Sequence, residues 1–340
     1  MVDVARLVHD LGGMAQKRQL VARGARDIDL TRAVHSGEVI RVRNGWYSTM
    51  ADGSPEVQAV RVGGRLTGIS AIIALGGWVL GRHPLHVSVN GNAARLRSPR
   101  NRRVRFGAKS SRGVTLHWDH GELASRGSSM SVGLVDALLA VVLDESLETA
   151  VAALDWALHT GILDVIDFET VISRLPRDRR GIRDWVDPAC ESLPESLART
   201  RFRLAGRRVE TQVRMVGDRR IDLVVDGVAG VEVDGEEFHL TKFDADRSKD
   251  VDITMMRLHA LRPTARMVFH EWDRVAQMVD AAIAMHVNAP RGSENSGSRA
   301  RSPYGNGGLA GWRRRPRRRS PEFSRCGEKQ HRRRGRARRE

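Results

Sequence analysis

The stretch RIDLVVDGVAGVEVDGEEFH, residues 220–239, constrains the fold of this chain more than any other. Two apolar runs, ILVV and VAGVEV, flank a turn near Gly227 and predict a pair of antiparallel strands. Asp222, Glu232 and Asp234 lie inside those runs, where a strand usually has Val or Ile. Burying a carboxylate is costly unless it is paired or binds a metal. The stretch therefore predicts a hairpin whose carboxylates face a ligand or a counter-ion.

The expected hairpin brings two of these carboxylates together. A turn centred near Gly227 places Asp222 opposite Glu232, with their Cβ atoms about 5 Å apart. Like charges at that distance repel, whereas Mg²⁺ takes oxygen ligands and commonly uses one or two carboxylates. Asp234 lies two residues beyond Glu232 and so on the same face of the strand. We expect Asp222 and Glu232 to hold a divalent metal, and the alternative is that acids of this stretch occupy exposed edges.

Charge is distributed unevenly around this hairpin. Residues 222–252 hold ten acidic and three basic residues, whereas residues 199–220 hold eight Arg and two acidic residues. An acidic pocket beside a basic approach is typical of a metal-dependent enzyme that acts on a phosphodiester. The net charge of +16 is concentrated in residues 290–340, which hold 17 Arg or Lys and four acids. We expect this tail to be disordered, and it either adds salt-sensitive affinity for DNA or is an extension without function.

Length and composition exclude several classes of protein. A chain of 340 residues accommodates two or three domains. Its longest apolar stretches, such as residues 70–81, are shorter than the roughly 18 residues that a membrane span needs. No secretion signal opens the chain, and the two cysteines make neither a disulfide framework nor a zinc site. We therefore expect a cytoplasmic protein without a membrane partner.

Residues 1–50 have the pattern of three short helices followed by a hairpin. Three apolar stripes at helical spacing each end at glycine, and Asn44-Gly45 is a strong turn signal between alternating strands. This order is that of a winged helix-turn-helix. The third helix, with Arg32, would enter the major groove, and the hairpin, with Arg41 and Arg43, would lie against the DNA backbone. A small helical cap without a ligand has the same pattern, so both interpretations stand.

Residues 55–185 predict a mixed α/β region. LTGISAIIALGG, VGLVDALLAVVL and LETAVAALDWALHTG predict helices, and LHVSVN, RVRF and VTLHWD predict strands. Residues 95–112 contain eight Arg or Lys and no acid, so they form either a solvated loop, which we favour, or a phosphate contact. His117 and His120 lie three residues apart on a strand and so point to opposite faces. We therefore expect no metal site at this pair.

Two helices are expected to flank the carboxylate hairpin. LPESLARTRFRLAG predicts one helix, which carries Glu195, Arg199 and Arg201. An acid in the first turn of a helix also meets the helix dipole favourably, which is a structural role for Glu195. Arg201 shares a face with leucines, so it either extends its charge to solvent or contacts substrate. FDADRSKDVDITMMRL predicts the second helix, with Arg247 and Lys249.

Several of these segments resemble known families. SLPESLARTRFRLAG, Gln212, RIDLVVDG, VEVDGEEFH and FDADRSKD resemble the nuclease-like domain related to very-short-patch-repair endonucleases, in the restriction-endonuclease-like, PD-(D/E)XK superfamily. This resemblance covers roughly residues 190–275, and its strongest motif is Glu-x-Asp-Gly followed by His239. GGMAQKRQLVARG, VIRVRNGWY and LTGISAIIALGG resemble the AbiEi-like antitoxin and transcriptional-regulator module, which in actinobacteria is often fused to this nuclease-like domain.

The resemblance implies a catalytic site formed by Glu195, Asp222, Glu232, Asp234 and His239. Asp222 and Glu232 would hold Mg²⁺ or Mn²⁺, with Glu195 supporting from its helix. The metal would polarise a phosphodiester oxygen and lower the pKa of a bound water. His239 would transfer a proton, and the alternative for it is a partly buried histidine at the end of a strand.

The resemblance also implies DNA contacts from the second helix, where Arg247 and Lys249 would neutralise developing charge or contact the backbone. The full set of expected DNA contacts is Arg32, Arg41, Arg43, Arg199, Arg201, Arg247 and Lys249.

The chain departs from the family pattern at two places. Asp234 stands where the superfamily has a lysine, as is typical of this branch. Arg257 and Pro263 stand where the family usually has Gly and Phe. A glycine near a helix end often adopts positive φ, which Arg adopts reluctantly. These departures favour a distorted final strand, and they leave a catalytic and a non-catalytic protein as alternatives.

The sequence thus predicts a multidomain α/β (α+β) protein. The expected domains are a winged helix-turn-helix over residues 1–50, a mixed α/β antitoxin-like domain over 55–185, an endonuclease-like domain over 190–285 and a disordered basic tail over 290–340.

The first hypothesis is a DNA-binding protein that hydrolyses phosphodiester bonds with Mg²⁺. The alternatives are an antitoxin-type transcriptional regulator with a non-catalytic nuclease fold, and a structural protein that binds nucleic acid through its tail. DNA is the expected partner and a cognate toxin is a second candidate partner. The sequence has no signature of an oligomer interface.

Overall fold

A computed structural model of the chain describes residues 2–109, 112–119, 127–215, 217–234 and 243–288. In the last of these ranges, the side chains are described from Ser248 onward. The described residues form a mixed α/β structure with three small sheets, as the sequence predicts at this coarse level. His239, the side chain of Arg247 and the tail at 290–340 lie outside the described residues, so the predictions about them stay predictions.

The N-terminal part has the predicted three helices and hairpin, together with one short strand that the pattern did not indicate. The elements are α1 (Val4–Asp10), β1 (Met14–Gln16), α2 (Lys17–Ala22), α3 (Asp27–His35), β2 (Ile40–Arg43) and β3 (Trp46–Ser48). The hairpin turns at Asn44-Gly45, where Gly45 has φ 76°. β3 lies between β1 and β2 in an antiparallel sheet, and apolar side chains from all three helices pack into one cluster.

The middle part is a small sheet covered by helices. The elements are α4 (Pro55–Val62), β4 (Arg65–Leu66), α5 (Gly68–Ala74), β5 (Leu85–Asn90), β6 (Val114–Asp119), α6 (Leu134–Asp144), α7 (Leu147–His159), α8 (Val165–Arg174) and a 3₁₀ helix (Arg177–Trp185). β5 pairs antiparallel with β4 and parallel with β6. The predicted strand RVRF is wrong, since Arg105 makes only an isolated bridge to Arg97. Arg103, Val104 and Arg105 of that run are exposed and Phe106 alone of the four packs against the core, so the segment lacks the row of buried side chains that would hold a strand in a sheet.

The C-terminal part has the predicted order of helix, strand, hairpin and helix. The elements are α9 (Leu193–Leu204), β7 (Val209–Arg214), β8 (Arg220–Val225), β9 (Ala229–Val231), α10 (Phe243–Met255), β10 (His259–Leu261), α11 (Ala265–His270) and α12 (Trp272–Asn288). The sheet order is β10-β9-β8-β7. Val225 pairs with Ala229, so the hairpin loop has three residues, of which Asp226 and Gly227 have positive φ of 53° and 70°. The pairing of Leu223 with Val231 then places Asp222 opposite Glu232, as predicted.

The last strand forms despite the departure at Arg257. This residue has φ 61°, so the position does require the left-handed backbone that glycine adopts most easily. β10 nevertheless follows and pairs in parallel with β9 over three residues. The positive φ of Arg257 therefore adds local strain without removing the strand.

A buried ion pair joins the middle part to the C-terminal part. Arg199 in α9 donates through Nη2 to Asp155 Oδ2 in α7 at 2.8 Å, and Ser196 Oγ donates to the same oxygen at 2.6 Å. Asp155 is 0% exposed and Arg199 is 2% exposed. Separate apolar clusters fill the three parts, but their division into folding domains stays a prediction. Among the described residues, no helix is both long and apolar enough to cross a membrane.

Candidate metal and nucleic-acid site

Glu195 is held at the start of α9 by the cap of its own helix. The hydroxyl of Ser192 donates to Glu195 Oε1 at 2.7 Å and also accepts from the backbone N–H of Glu195. Glu191 N and Gln212 Nε2 donate to Oε2 at 3.0 and 3.3 Å. Glu195 is buried, so its carboxylate faces the sheet and does more than meet the helix dipole.

Gln212 brings a side-chain amide to this carboxylate from β7. The pairs on either side of it in the sheet place it across from Asp222 on β8. Its φ of 51° is unusual for a residue other than glycine inside a strand. The sequence singled out Gln212 only through the family resemblance, and its contact with Glu195 depends on the pairing of β7 with β8.

Asp222 and Glu232 face each other across β8 and the end of β9. The backbone N–H of Asp222 donates to Glu232 Oε1 at 3.3 Å, and Val233 N donates to Asp222 Oδ2 at 2.9 Å. Lys249 Nζ from α10 forms an ion pair with Glu232 Oε2. Burial, followed by the charge of Asp222, raises the pKa of Glu232 to about 7. Burial also raises the pKa of Asp222 and of Glu195, and Asp222 adds to the rise at Glu195. We call Glu195, Asp222, Glu232 and Lys249 the carboxylate pocket.

Asp234 lies beside the carboxylate pocket rather than in it. Its Oδ1 is 3.6 Å from Arg262 Nη1, and Arg262 Nε also donates to Asp250 Oδ1 at 2.7 Å. Asp234 is thus an acid with an arginine partner. Lys249, which was predicted to neutralise developing charge or contact the DNA backbone, contacts Glu232 in the absence of DNA.

The donor chemistry of the carboxylate pocket fits a hard divalent cation. Carboxylate oxygens are the ligands that Mg²⁺ prefers. Lys249 is paired with Glu232, so an ion bound by Glu232 would have to displace the lysine. The described ranges contain one group of three residues whose ligand atoms all lie within 4.8 Å of one another. These residues are His86, His117 and Asp144, and they lie in the middle part rather than in the carboxylate pocket.

A cleft of about 490 Å³ lies between the hairpin and the loop after β5, and its walls are basic. The lining residues of this arginine cleft are Arg41, Arg43, Asn44, Arg95, Arg97 and Arg102. Arg61 in α4 donates to Val42 O at 3.4 Å and to Pro99 O at 2.9 Å, and so ties the hairpin to the loop. Burial, with the nearby charge of Arg97, lowers the pKa of Arg43, because a buried cation beside another cation is destabilised. The sequence favoured a solvated loop here, whereas the structure joins loop and hairpin into one basic surface.

The remaining predicted DNA contacts have different surroundings. Arg32 is exposed on α3, and Arg41 is exposed and donates to Asn44 Oδ1 at 2.7 Å. The prediction for Arg199 is corrected, because its guanidinium is enclosed with Asp155 and does not reach a surface where DNA could lie. Arg201 is largely buried and lines a cavity of about 690 Å³ together with Glu148 and Trp272.

Three contacts hold Arg201 within the protein. Its guanidinium pairs with Glu148 at 3.0 Å, donates to the carbonyl oxygen of Val268, and lies over the ring of Trp272 at 5.3 Å. The sequence showed the leucine neighbours of Arg201 on α9, but Glu148 lies 53 residues earlier and gave no local signal.

Comparison with known proteins assigns no family to the chain. No protein-family model matches it, and no curated protein matches it. The functional argument therefore depends on the carboxylate pocket and the arginine cleft themselves.

Proposed function

We propose that the protein binds DNA and cleaves it at the carboxylate pocket in a reaction that depends on Mg²⁺ or Mn²⁺. The observation that carries this proposal is the convergence of Glu195, Asp222 and Glu232 with Lys249 on one region of the C-terminal sheet. Buried carboxylates that face each other destabilise a fold unless a cation binds between them. Hard oxygen donors favour a divalent ion such as Mg²⁺.

The fold assignments belong to the same proposal. The succession of α9, β7, the β8–β9 hairpin and α10, with acids on β8 and after β9, supports a restriction-endonuclease-like fold. The succession of three helices and the β2–β3 hairpin supports a winged helix. In that arrangement Arg32 on α3 faces the major groove and the hairpin arginines face the backbone.

The side chains of the carboxylate pocket have different roles in phosphodiester hydrolysis. Asp222 and Glu232 hold the metal, which when bound supplies positive charge to the phosphate and favours ionisation of an attacking water. Glu195, kept in place by Ser192 and Gln212, accepts a proton from that water, because burial raises the pKa of its carboxyl group above the ordinary value and makes the carboxylate a stronger base. Lys249, displaced from Glu232, neutralises charge that develops on the phosphate.

The arginine cleft supplies the affinity for DNA. Its six lining residues include five arginines and no acid. Phosphate contacts of this kind give strong binding that is independent of sequence and sensitive to salt. The mutual repulsion of the arginines is relieved when an anion lies among them.

The test is cleavage of supercoiled plasmid by the full chain with Mg²⁺ or Mn²⁺. We expect the wild type to nick the plasmid. The Asp222→Asn/Glu232→Gln variant should nick it at least about 10²-fold more slowly, because both metal ligands are removed. Glu169→Gln is the matched control, since Glu169 is an exposed acid paired with Arg183 far from the pocket. Cleavage that persists in the double variant, or that Glu169→Gln lowers equally, would show that the pocket is not the active site.

A second candidate is an antitoxin-type regulator that binds DNA without cutting it, with a cognate toxin as its partner. The ion pair of Lys249 with Glu232 favours this candidate, because an amine already supplies the positive charge that a metal would bring. Tight plasmid binding with no nicking under either metal would select the regulator over the nuclease. In that case the Asp222→Asn/Glu232→Gln variant should bind DNA as the wild type does.

A further inference from the structure

Two histidines from neighbouring strands meet on one face of the middle sheet. β5 and β6 are parallel, and His117 on β6 pairs with Ser88, two residues beyond His86 on β5, so both histidines point to the same side. His86 Nδ1 lies 3.2 Å from His117 Nε2. His86 is buried, whereas the side chain of His117 is 21% exposed.

Two acids at the end of α6 face the outer nitrogens of these rings. Asp144 Oδ2 is 3.5 Å from His117 Nδ1, and Glu145 Oε1 is 3.8 Å from His86 Nε2. The side chain of Asp144 is 37% exposed and that of Glu145 is 11% exposed, so the group opens to solvent at Asp144. We call His86, His117, Asp144 and Glu145 the histidine cluster.

The contacts of the two rings allow more than one arrangement of the protons at their inner nitrogens. A neutral imidazole carries one N–H and one lone pair. If each ring directs its N–H toward its carboxylate, His86 Nδ1 and His117 Nε2 turn lone pairs toward each other at 3.2 Å. A cation between them removes that repulsion. In a tetrahedral zinc site with Zn–N bonds of about 2.0–2.1 Å, two ligand nitrogens lie about 3.4 Å apart, close to the observed separation.

We propose that His86, His117 and Asp144 bind a divalent transition-metal ion such as zinc, at a site separate from the carboxylate pocket. Each of the three offers a ligand atom within 4.8 Å of one from each of the others. Asp144 faces His117 Nδ1 and is the most exposed of the three, so its side chain would turn from that nitrogen toward the ion on binding. Glu145 takes the position of the carboxylate that commonly orients a metal-binding histidine through its second nitrogen.

The chemistry of the histidine cluster separates it from the carboxylate pocket. Imidazole nitrogen suits Zn²⁺, Cu²⁺ and Ni²⁺, whereas carboxylate oxygen suits Mg²⁺. The ion would link β5, β6 and the end of α6, so it would stabilise the middle part.

The test is a calorimetric titration of the metal-stripped full chain with Zn²⁺, followed by Co²⁺ uptake read from visible absorption. We expect the His86→Gln/His117→Gln variant to bind one equivalent of Zn²⁺ fewer than the wild type. Asp144→Asn should bind about tenfold to a hundredfold more weakly, because the exposed carboxylate is one of three ligands. His159→Gln is the matched control, since His159 lies in the same part of the chain with Pro188 O as its partner.

Two further measurements keep the outcome decisive. Circular dichroism tests whether the double variant is folded, and Asp144→Asn, at an exposed position, provides an independent answer if it is not. Asp222→Asn/Glu232→Gln should retain the full zinc stoichiometry, and excess Mg²⁺ should not displace the ion. The proposal is overturned if the histidine variants and Asp144→Asn take up as much zinc, as tightly, as the wild type. It is equally overturned if the wild type takes up none.

Discussion

The arginines of α9 and those of the arginine cleft carry the same charge in opposite surroundings. Arg199 is enclosed with Asp155, and Arg201 pairs with Glu148 and Val268 O. The cleft arginines instead line one cavity together with Asn44 and without an acid. The arginines of α9 therefore hold the protein together, whereas those of the cleft are arranged for an external anion. The role of an arginine is set by the acids that face it.

The same contrast separates the buried acids. Asp155 accepts hydrogen bonds from Arg199, Ser196 and the backbone N–H of Asp187, so every contact brings it positive charge or a donor. Asp222 instead faces another acid, Glu232, and Lys249 forms an ion pair with Glu232. In both the arginine cleft and the carboxylate pocket, the fold thus brings like charges together, and this arrangement indicates a candidate ligand site.

The largest expected effect comes from breaking the α9 side of this comparison. Arg199→Met should lower the free energy of unfolding by about 3–5 kcal/mol, because it leaves Asp155 buried without its cation. Arg95→Met, an exposed position that lines the cleft, should change it by less than about 0.5 kcal/mol. Urea unfolding at neutral pH measures both. Equal losses for the two variants would contradict the distinction between the two sets of arginines.

The cost of Arg199→Met should also depend on pH. Burial raises the pKa of Asp155 to about 6 although Arg199 and Ser196 oppose the rise, and removing Arg199 raises it further. Because this folded pKa lies above the ordinary value of 3.8, stability gained by protonation is complete below pH ~4 and is lost as the pH rises through the folded pKa. The deficit of the variant should therefore shrink by about 2 kcal/mol from pH 8 to pH 5.

The control for this pH dependence removes the titrating group. Asp155→Asn/Arg199→Met has neither charge, so its deficit relative to the wild type should vary much less with pH than that of the single variant. Urea unfolding at three pH values from 5 to 8 gives both curves. A deficit of Arg199→Met that stays constant over that range would show that Asp155 does not take up a proton there.

The sequence could predict the β8–β9 hairpin and the pairing of residues within it. Apolar runs on either side of Asp226-Gly227 fix the turn, and the turn fixes the register that sets Asp222 opposite Glu232. The helix before the hairpin followed from its first-turn proline, Pro194, and from Gly206 just past its end. Patterns that act within about 20 residues therefore gave most of the elements and the two facing acids.

Contacts between distant segments were outside the reach of such patterns. Asp155 lies 44 residues before Arg199, so nothing beside that arginine indicated an internal partner. His117 was judged only against His120, which lies outside the described residues, whereas the structure brings it to His86, 31 residues earlier. The loop arginines were read alone, although Arg61 ties their loop to the hairpin. Each of these depends on how sheets and helices pack together.

The smallest expected effect, and the most specific, is on the salt dependence of DNA binding. Arg43→Gln/Arg97→Gln should weaken binding by about tenfold and lower the slope of log K against log salt by about 1 for each phosphate contact removed. Arg201→Gln should leave that slope unchanged, because Arg201 is engaged with Glu148. Fluorescence anisotropy of the full chain over a salt series measures both quantities.

The basic tail does not obscure this measurement. Any contribution of its 17 Arg or Lys to the slope would be common to every variant, so the difference between variants isolates the cleft. If Arg201→Gln reduced the slope as much as the cleft substitutions do, the inward contacts of α9 would not prevent it from meeting DNA. If neither changed the slope, the tail would carry the electrostatic binding, and the like charges of the cleft would need another anion.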